Sequence, residues 1–273
     1  MSGYSPARMI KDPRARIVGK ESWRDYFLLR IESPRITDRS RPGQFIMVRV
    51  NAHHHPLLRR PFSIHSKSGK TIEIFFQVAG LGTDLLSQKN MDETLDILGP
   101  LGNGFKAEAE LKGKAVALVG GGRGIAPLYF LAQELRSSGA ASRIFYGGKT
   151  QADLPLRENL EKQGFDIYCS TDDGSFGFKG FISDLLKAEL EKFTPARIYA
   201  CGPEPMMKKI SGAARQHNIP AEFSLESVMG CGFGACWGCV KRIKRADGEE
   251  WLKICEEGPV FSAEEIVWGE EEG

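Results

Sequence analysis

The sequence predicts three units in series: an antiparallel β-barrel, a doubly wound parallel α/β domain and a small cysteine-rich subdomain. Three observations carry this expectation. Through the first hundred residues, short alternating apolar and polar runs are separated by turn residues. From Lys114 the pattern changes to a repetition of buried-type strand, loop and helix. Beyond about Phe223, four of the chain's six cysteines crowd into one short stretch. Boundaries at 10–111, 112–222 and 223–273 divide the 273 residues into two domains of ordinary size and an appendix.

The first unit reads as strands at 15–18, 26–31, 44–50, 61–64 and 71–78, punctuated by Ser33-Pro34, Arg41-Pro42-Gly43 and Ser68-Gly69-Lys70. Several short strands at such spacing argue an antiparallel barrel. A short helix is expected through 83–87, and Gly99 to Phe105 reads as a turn-rich loop into the next unit. There, strands at 115–119, 142–146, 165–169 and 197–201 alternate with helices at 126–137, 157–163, 182–192 and 206–217. That alternation argues a doubly wound parallel sheet. The remainder is too short for a large core of its own. It would depend on docking and on whatever its cysteines bind. Within it, Lys241 to Arg245 precedes Asp247-Gly248 and reads as a hairpin arm with a solvated face.

Composition excludes several classes. The net charge of +2, with no basic stripe interleaved with aromatics, argues against a nucleic-acid partner. The longest apolar stretch, 115–135, is broken by glycines and Pro127, so it cannot span a bilayer as one helix. The first ten residues lack the apolar core of a secretory signal, and a cytoplasmic location is expected. His53, His54 and His55 are consecutive and would point to opposite faces of extended chain, so they read as surface loop rather than metal ligands.

Cys231, Cys236, Cys239 and Cys255 are spaced C-x4-C-x2-C-x15-C, three in one loop and a fourth further on. That is the plant-type ligand order of a [2Fe–2S] cluster. Glycines at 230, 232, 234 and 238 let the loop bend and approach closely. Structural zinc usually takes two ligands from each of two knuckles, and disulfides are rare in the cytosol. A zinc-stabilised interaction module remains the alternative from a different class. Cys169, in a strand-like run, reads as an inert core thiol.

Three upstream motifs carry further chemistry. Gly120, Gly121, Gly122 and Gly124 follow a strand and open a helix, exposing amides at a helix N-terminus where a pyrophosphate is favoured. Cys201-Gly202-Pro203 closes a later strand at the carboxyl edge, where open α/β sheets bind ligands. In Leu58-Arg59-Arg60-Pro61-Phe62-Ser63, an arginine beside a proline-stiffened strand suits a phosphate, and Ser63 offers a hydroxyl to a flavin ring. Gly80-Leu81-Gly82-Thr83 opens a further helix with a phosphate-binding N-terminus.

The order R-P-F-S, G-x-G-T, G-P-x-G, G-G-G-x-G-I-A-P and C-G-P-x-x-M, over residues 10 to 220, resembles the ferredoxin–NADP reductase superfamily. With the cysteine pattern added, the chain is similar to the electron-transfer subunits of class 1B dihydroorotate dehydrogenases. The resemblance implies a six-stranded barrel holding FAD, an α/β domain holding NAD and a C-terminal [2Fe–2S] subdomain. It assigns Arg60, Pro61, Phe62, Ser63, Phe75, Phe76, Gln77, Gly82 and Thr83 to FAD. Gln77 departs from the arginine common at its position. It assigns Gly120, Gly121, Gly122, Gly124, Cys201, Gly202 and Pro203 to NAD, and Cys231, Cys236, Cys239 and Cys255 to the cluster. No catalytic side chain is implied, because hydride passes directly between cofactors.

The resemblance further implies an FMN-containing catalytic partner, in a heterotetramer of two catalytic and two electron-transfer chains. Electrons from dihydroorotate would then reach NAD⁺ through FMN, the cluster and FAD, in de novo pyrimidine (UMP) biosynthesis. Asp172 and Asp173, just past a strand, favour NAD over NADP, while Lys149 argues the other way. The alternative is the flavin and iron–sulfur subunit of an NADH-dependent ferredoxin:NADP⁺ oxidoreductase or of a sulfide dehydrogenase.

Overall fold

The computed structural model describes residues 9–53, 55–106 and 109–269, so His54 of the histidine triplet lies outside the described residues. The N-terminal unit comprises β1 (Ile10–Trp23), β2 (Tyr26–Glu32), α1 (Pro34–Arg39), β3 (Phe45–Arg49), β4 (Arg60–Ser68), β5 (Thr71–Gln77), α2 (Leu81–Ser87) and β6 (Thr94–Leu101). Its six strands close into an antiparallel barrel in the order β1-β2-β5-β4-β3-β6. Alternation alone yields five strands; the sixth, β6, is the one it misses. The Gly99-Pro100 pair at the end of β6 reads as turn, yet Gly99 pairs with Ile10 and Leu98 with Met47. Pro13 likewise hides the first part of β1, which accommodates it where the register shifts between Asp12 and Ala15. Ser33-Pro34, expected as a turn, starts α1 because proline is pre-organised for the first helical position.

The second unit runs β7 (Ala115–Gly121), α3 (Ile125–Ser137), β8 (Ala141–Gly148), α4 (Arg157–Lys162), β9 (Asp166–Thr171), β10 (Phe178–Lys179), α5 (Ile182–Leu190), β11 (Ile198–Cys201), α6 (Glu204–Gln216) and β12 (Ala221–Ser224). The cysteine-rich segment adds the hairpin β13 (Val240–Arg245) and β14 (Gly248–Lys253), then β15 (Val260–Ser262). The sheet order is β10-β9-β8-β7-β11-β12-β15, parallel except for the antiparallel β15 at its edge. β12 runs across the expected 222/223 junction, and β15 returns the C-terminal segment to the sheet. Appendix and domain therefore share one buried cluster, which joins Phe223 and Phe261 to Cys239, Ile243, Ile254 and Cys255.

The barrel docks on α3. Phe130 is buried with the barrel's own core residues. His65 of β4 stacks on Tyr129 with ring centroids 4.5 Å apart, and its Nδ1 lies 3.1 Å from Ala126 O. Tyr26 O–H donates to Asp153 Oδ1 at 2.9 Å, tying β2 to the loop after β8. No helix among the described residues is long and apolar enough to cross a membrane.

Candidate functional site

β12 delivers the chain at the carboxyl edge of the sheet, and the segment beyond it folds into the loop that carries Cys231, Cys236 and Cys239. The hairpin then explains the fifteen-residue interval to the fourth cysteine. Val240 pairs with Lys253 at its base, and Ile254 N–H donates to Cys239 O at 3.0 Å, so Cys239 and Cys255 come out side by side. Cys255 N–H points at Cys239 Sγ (3.5 Å), and Gly234 N–H donates to Cys255 Sγ at 3.2 Å. Burial, followed by the neighbouring Cys239 thiol, pushes the Cys255 thiol up. Burial alone would also raise Cys231, but amides of Phe233, Cys236 and Ala235 and the Cys236 thiol bring it down to about 7.

Each thiol thus has a near neighbour, Cys236 for Cys231 and Cys239 for Cys255. Among the described residues no three metal-binding side chains close on a single-ion position. Two thiolates for each of two irons is the division a [2Fe–2S] cluster requires, and the amides aimed at sulfur are the hydrogen bonds that tune one. Gly232 (φ +83°) and Gly234 (φ +90°) hold the left-handed conformations the loop needs. The donor set fits the group.

On the barrel, Arg60 lies across the first turn of α2: a Cβ at Gly82 would sit 2.6 Å from its Nε. Arg60 Nη1 also donates to Leu58 O. Thr83 Oγ1 accepts from the amides of Ala79 (2.9 Å) and Gly80 (3.2 Å), fixing the turn that presents these groups. Pro61 and Ser63 are half-buried, whereas Phe62 and Phe76 meet in the barrel core with ring centroids 5.4 Å apart. Most of both rings therefore packs against protein, leaving little beyond edge and backbone for a ligand. Phe75 is buried against Tyr26 in a stacked pair (5.6 Å), and Gln77 Nε2 donates to Asp25 Oδ2 at 2.6 Å.

The two glycine motifs of the second unit meet. β7 and β11 are parallel neighbours with Gly120 opposite Cys201. A Cβ at Gly124 would fall 2.0 Å from Cys201 O, and one at Gly202 would fall 3.1 Å from Gly121 Cα. Only glycine permits this approach, which brings the two motifs together at the carboxyl edge of the sheet beside the N-terminal end of α3, the edge where open α/β sheets bind ligands. Burial drives the Cys201 thiol well above its ordinary range, which suits a structural thiol and not a nucleophile. Burial likewise raises Cys169, to about 11. Asp173 N–H donates to Lys149 O (3.2 Å) and its carboxylate accepts from Ser175, so the acids and Lys149 share one end of β8 and β9.

Comparison with known proteins identifies the family. The model of the iron–sulfur cluster binding domain of dihydroorotate dehydrogenase B matches residues 226–267, and that of the oxidoreductase NAD-binding domain matches 118–212. The dihydroorotate dehydrogenase B (NAD(+)) electron transfer subunit of Bacillus caldolyticus is 42% identical over 235 residues, covering 85% of this chain and 89% of its own. That of Shouchella clausii is 37% identical over 260 residues, covering 94% and 98%. The chain belongs to the family of dihydroorotate dehydrogenase B electron transfer subunits. A solved NADH-dependent reduced ferredoxin-NADP oxidoreductase is similar over 98% of this chain and 92% of its own, at 28% identity and a TM-score of 0.80. A ferredoxin NADP⁺ reductase from Neisseria gonorrhoeae shares the fold over 77% of this chain and 92% of its own, at 20% identity and a TM-score of 0.64.

Within this electron transfer subunit, residues that sequence reasoning missed join the motifs together. A Cβ at Gly232 would lie 2.4 Å from Met47 Cγ, and Met47 is the cross-strand partner of Pro61. The cysteine loop therefore rests one strand away from Arg60-Pro61-Phe62-Ser63. Asn103 clamps the chain just past Cys255: its Nδ2 donates to Glu256 O and Glu257 O (3.0 Å each), and its N–H donates to Gly258 O (2.6 Å). Only its place in a Gly-rich loop marked it. In the cysteine-rich segment Val228, Phe233, Trp237 and Trp251 are exposed, at 86%, 38%, 59% and 59%. A cleft of 1570 Å³, lined by Arg39, Arg41 and Lys67 among others, borders the Gly99 to Phe105 loop and Glu257 but contains none of the four cysteines and none of the residues assigned to FAD or NAD.

Proposed function

We propose that this chain carries electrons between an FMN-containing dihydroorotate dehydrogenase catalytic subunit and NAD⁺, as one step of de novo pyrimidine (UMP) biosynthesis. The observation that carries the reading is the seat of the cysteine loop on Met47, in register with Pro61. One chain thereby joins a four-thiol site, a flavin-type strand and a nicotinamide-type sheet edge. When bound, FAD exchanges two electrons with NAD as hydride and single electrons with the cluster, so it links the two kinds of carrier.

The chain's own residues bind, orient and shield. Cys231, Cys236, Cys239 and Cys255 hold the cluster. Arg60 and the first turn of α2 take the FAD pyrophosphate, and Ser63 offers its hydroxyl to the ring system. Gly120, Gly121, Gly122 and Gly124, with Cys201-Gly202-Pro203, admit the nicotinamide nucleotide. Asp172 and Asp173 favour NAD by repelling a 2′-phosphate. The exposed Val228, Phe233, Trp237 and Trp251 give the cysteine-rich segment an apolar surface that a partner would cover, excluding water from the electron path. The proposed assembly pairs two such chains with two catalytic subunits.

A second reading is favoured by the 0.80 TM-score to the NADH-dependent ferredoxin-NADP oxidoreductase: a flavin and iron–sulfur subunit serving that kind of partner. The test separates the two. Co-expressed with an FMN-containing dihydroorotate dehydrogenase subunit, the chain should co-purify and support dihydroorotate-dependent NADH formation. Cys236→Ser should retain flavin absorbance and lose that turnover. NADH formation that survives cluster loss would sink the relay, and failure to associate would favour the second reading.

A further inference from the structure

Two charged side chains grip the middle of the cysteine loop, and neither is a ligand. Lys253 Nζ donates to Gly234 O at 3.2 Å and lies 4.8 Å from the centroid of the Trp237 ring. The same ammonium pairs with Glu256 Oε2, an oxygen sealed from solvent. That carboxylate also lies against Gly234, since a Cβ there would lie 2.5 Å from Glu256 Oε2. Both charges therefore bear on the one residue whose amide donates to Cys255 Sγ. The side chains are only 16% and 26% exposed, so water screens them weakly.

We propose that the Lys253–Glu256 ion pair is a positioning pair that sets the reduction potential of the cluster, holding Gly234 against Cys255 while balancing its own charges beside the thiolates. This rests on the two-iron reading of the four cysteines. A cluster gains one negative charge on reduction, and its potential follows net charge and hydrogen bonds to sulfur. An unpaired carboxylate beside it disfavours reduction, whereas an unpaired ammonium favours it. Intact, the pair nearly cancels. The two single substitutions must then act with opposite sign, which a merely structural role would not produce.

The experiment is a potentiometric EPR titration of the holoprotein in complex with its catalytic subunit, with iron content measured on every variant. Lys253→Met should lower the midpoint potential, Glu256→Gln should raise it, and the double variant should return close to the parent. Lys253→Arg keeps the charge and should keep both iron and potential, even if Lys253→Met fails to assemble. Single variants that shift the same way, or variants at full iron content with unmoved potentials, would overturn the proposal. So would Lys253→Arg shifting as far as Lys253→Met. A parent protein with no reduced two-iron signal would instead refute the reading of the cysteines.

Discussion

Gly232 illustrates how a single residue is fixed by two demands at once. Its φ of +83° disfavours any residue with a Cβ, and the space a Cβ would occupy is held by Met47 Cγ at 2.4 Å. Gly232→Ala should cost about 2–4 kcal/mol, the left-handed penalty adding to overpacking against a buried side chain. Thermal unfolding should register the loss, and iron content should fall with it because the loop no longer seats on β3. An unchanged melting temperature at full iron content would count against this packing. The need for glycines between the cysteines was legible in the sequence, since spacing and composition are local properties. That Gly232 faces Met47, and that Lys253 and Glu256 lie against Gly234, was not legible, because those neighbours come from other elements.

At the scale of elements, β4 shows one strand doing two jobs. Its start presents Arg60, Pro61 and Ser63, and further along it buries His65 between the barrel and α3. Burial lowers the His65 pKa from 6.5 to about 4, with the charge of Glu73 opposing. The unfolded chain takes up a proton near pH 6.5, while the folded one resists until about 4. Stability from this group is therefore complete above pH 6.5 and falls as the pH drops toward 4, by up to about 1.4 kcal/mol per unit. Melting temperatures between pH 7.5 and 4.5 should follow that slope, and His65→Phe, which keeps a ring against Tyr129, should flatten it. A slope unaltered in the variant would place the acid sensitivity elsewhere.

The hairpin β13–β14 was legible from Asp247-Gly248 and the alternating basic residues; its role, bringing Cys239 beside Cys255, needed the register of Val240 with Lys253. Trp237→Ala and Trp251→Ala together should weaken association with the catalytic subunit by at least about 2 kcal/mol, or some thirtyfold, and an unchanged affinity would place the contact elsewhere. The visible spectrum of the isolated subunit should stay the same. Titration calorimetry against the partner measures the difference.

For the whole molecule, three units distinguishable by sequence grammar turn out to share their cores. Phe45, Met47, Leu98 and Leu101 of the barrel lie in one buried cluster with Phe223, Cys239 and Cys255. Fold class was legible because strand alternation and strand–helix repetition are periodic signals. β6, α1 and the return of β15 to the sheet were not, because proline and glycine punctuate them locally while tertiary pairing decides them. The shared core has a functional consequence: the cysteine loop cannot move away from the flavin-type strand without disrupting both. The central claim is that one rigid chain conducts between nicotinamide and cluster. Its most direct test is to add NADH, without dihydroorotate, to the anaerobic complex and record low-temperature EPR. The account predicts the rhombic signal of a reduced [2Fe–2S] centre, absent in Cys236→Ser. Flavin bleaching by NADH with the cluster left oxidised and silent, even though its potential permits reduction, would contradict it.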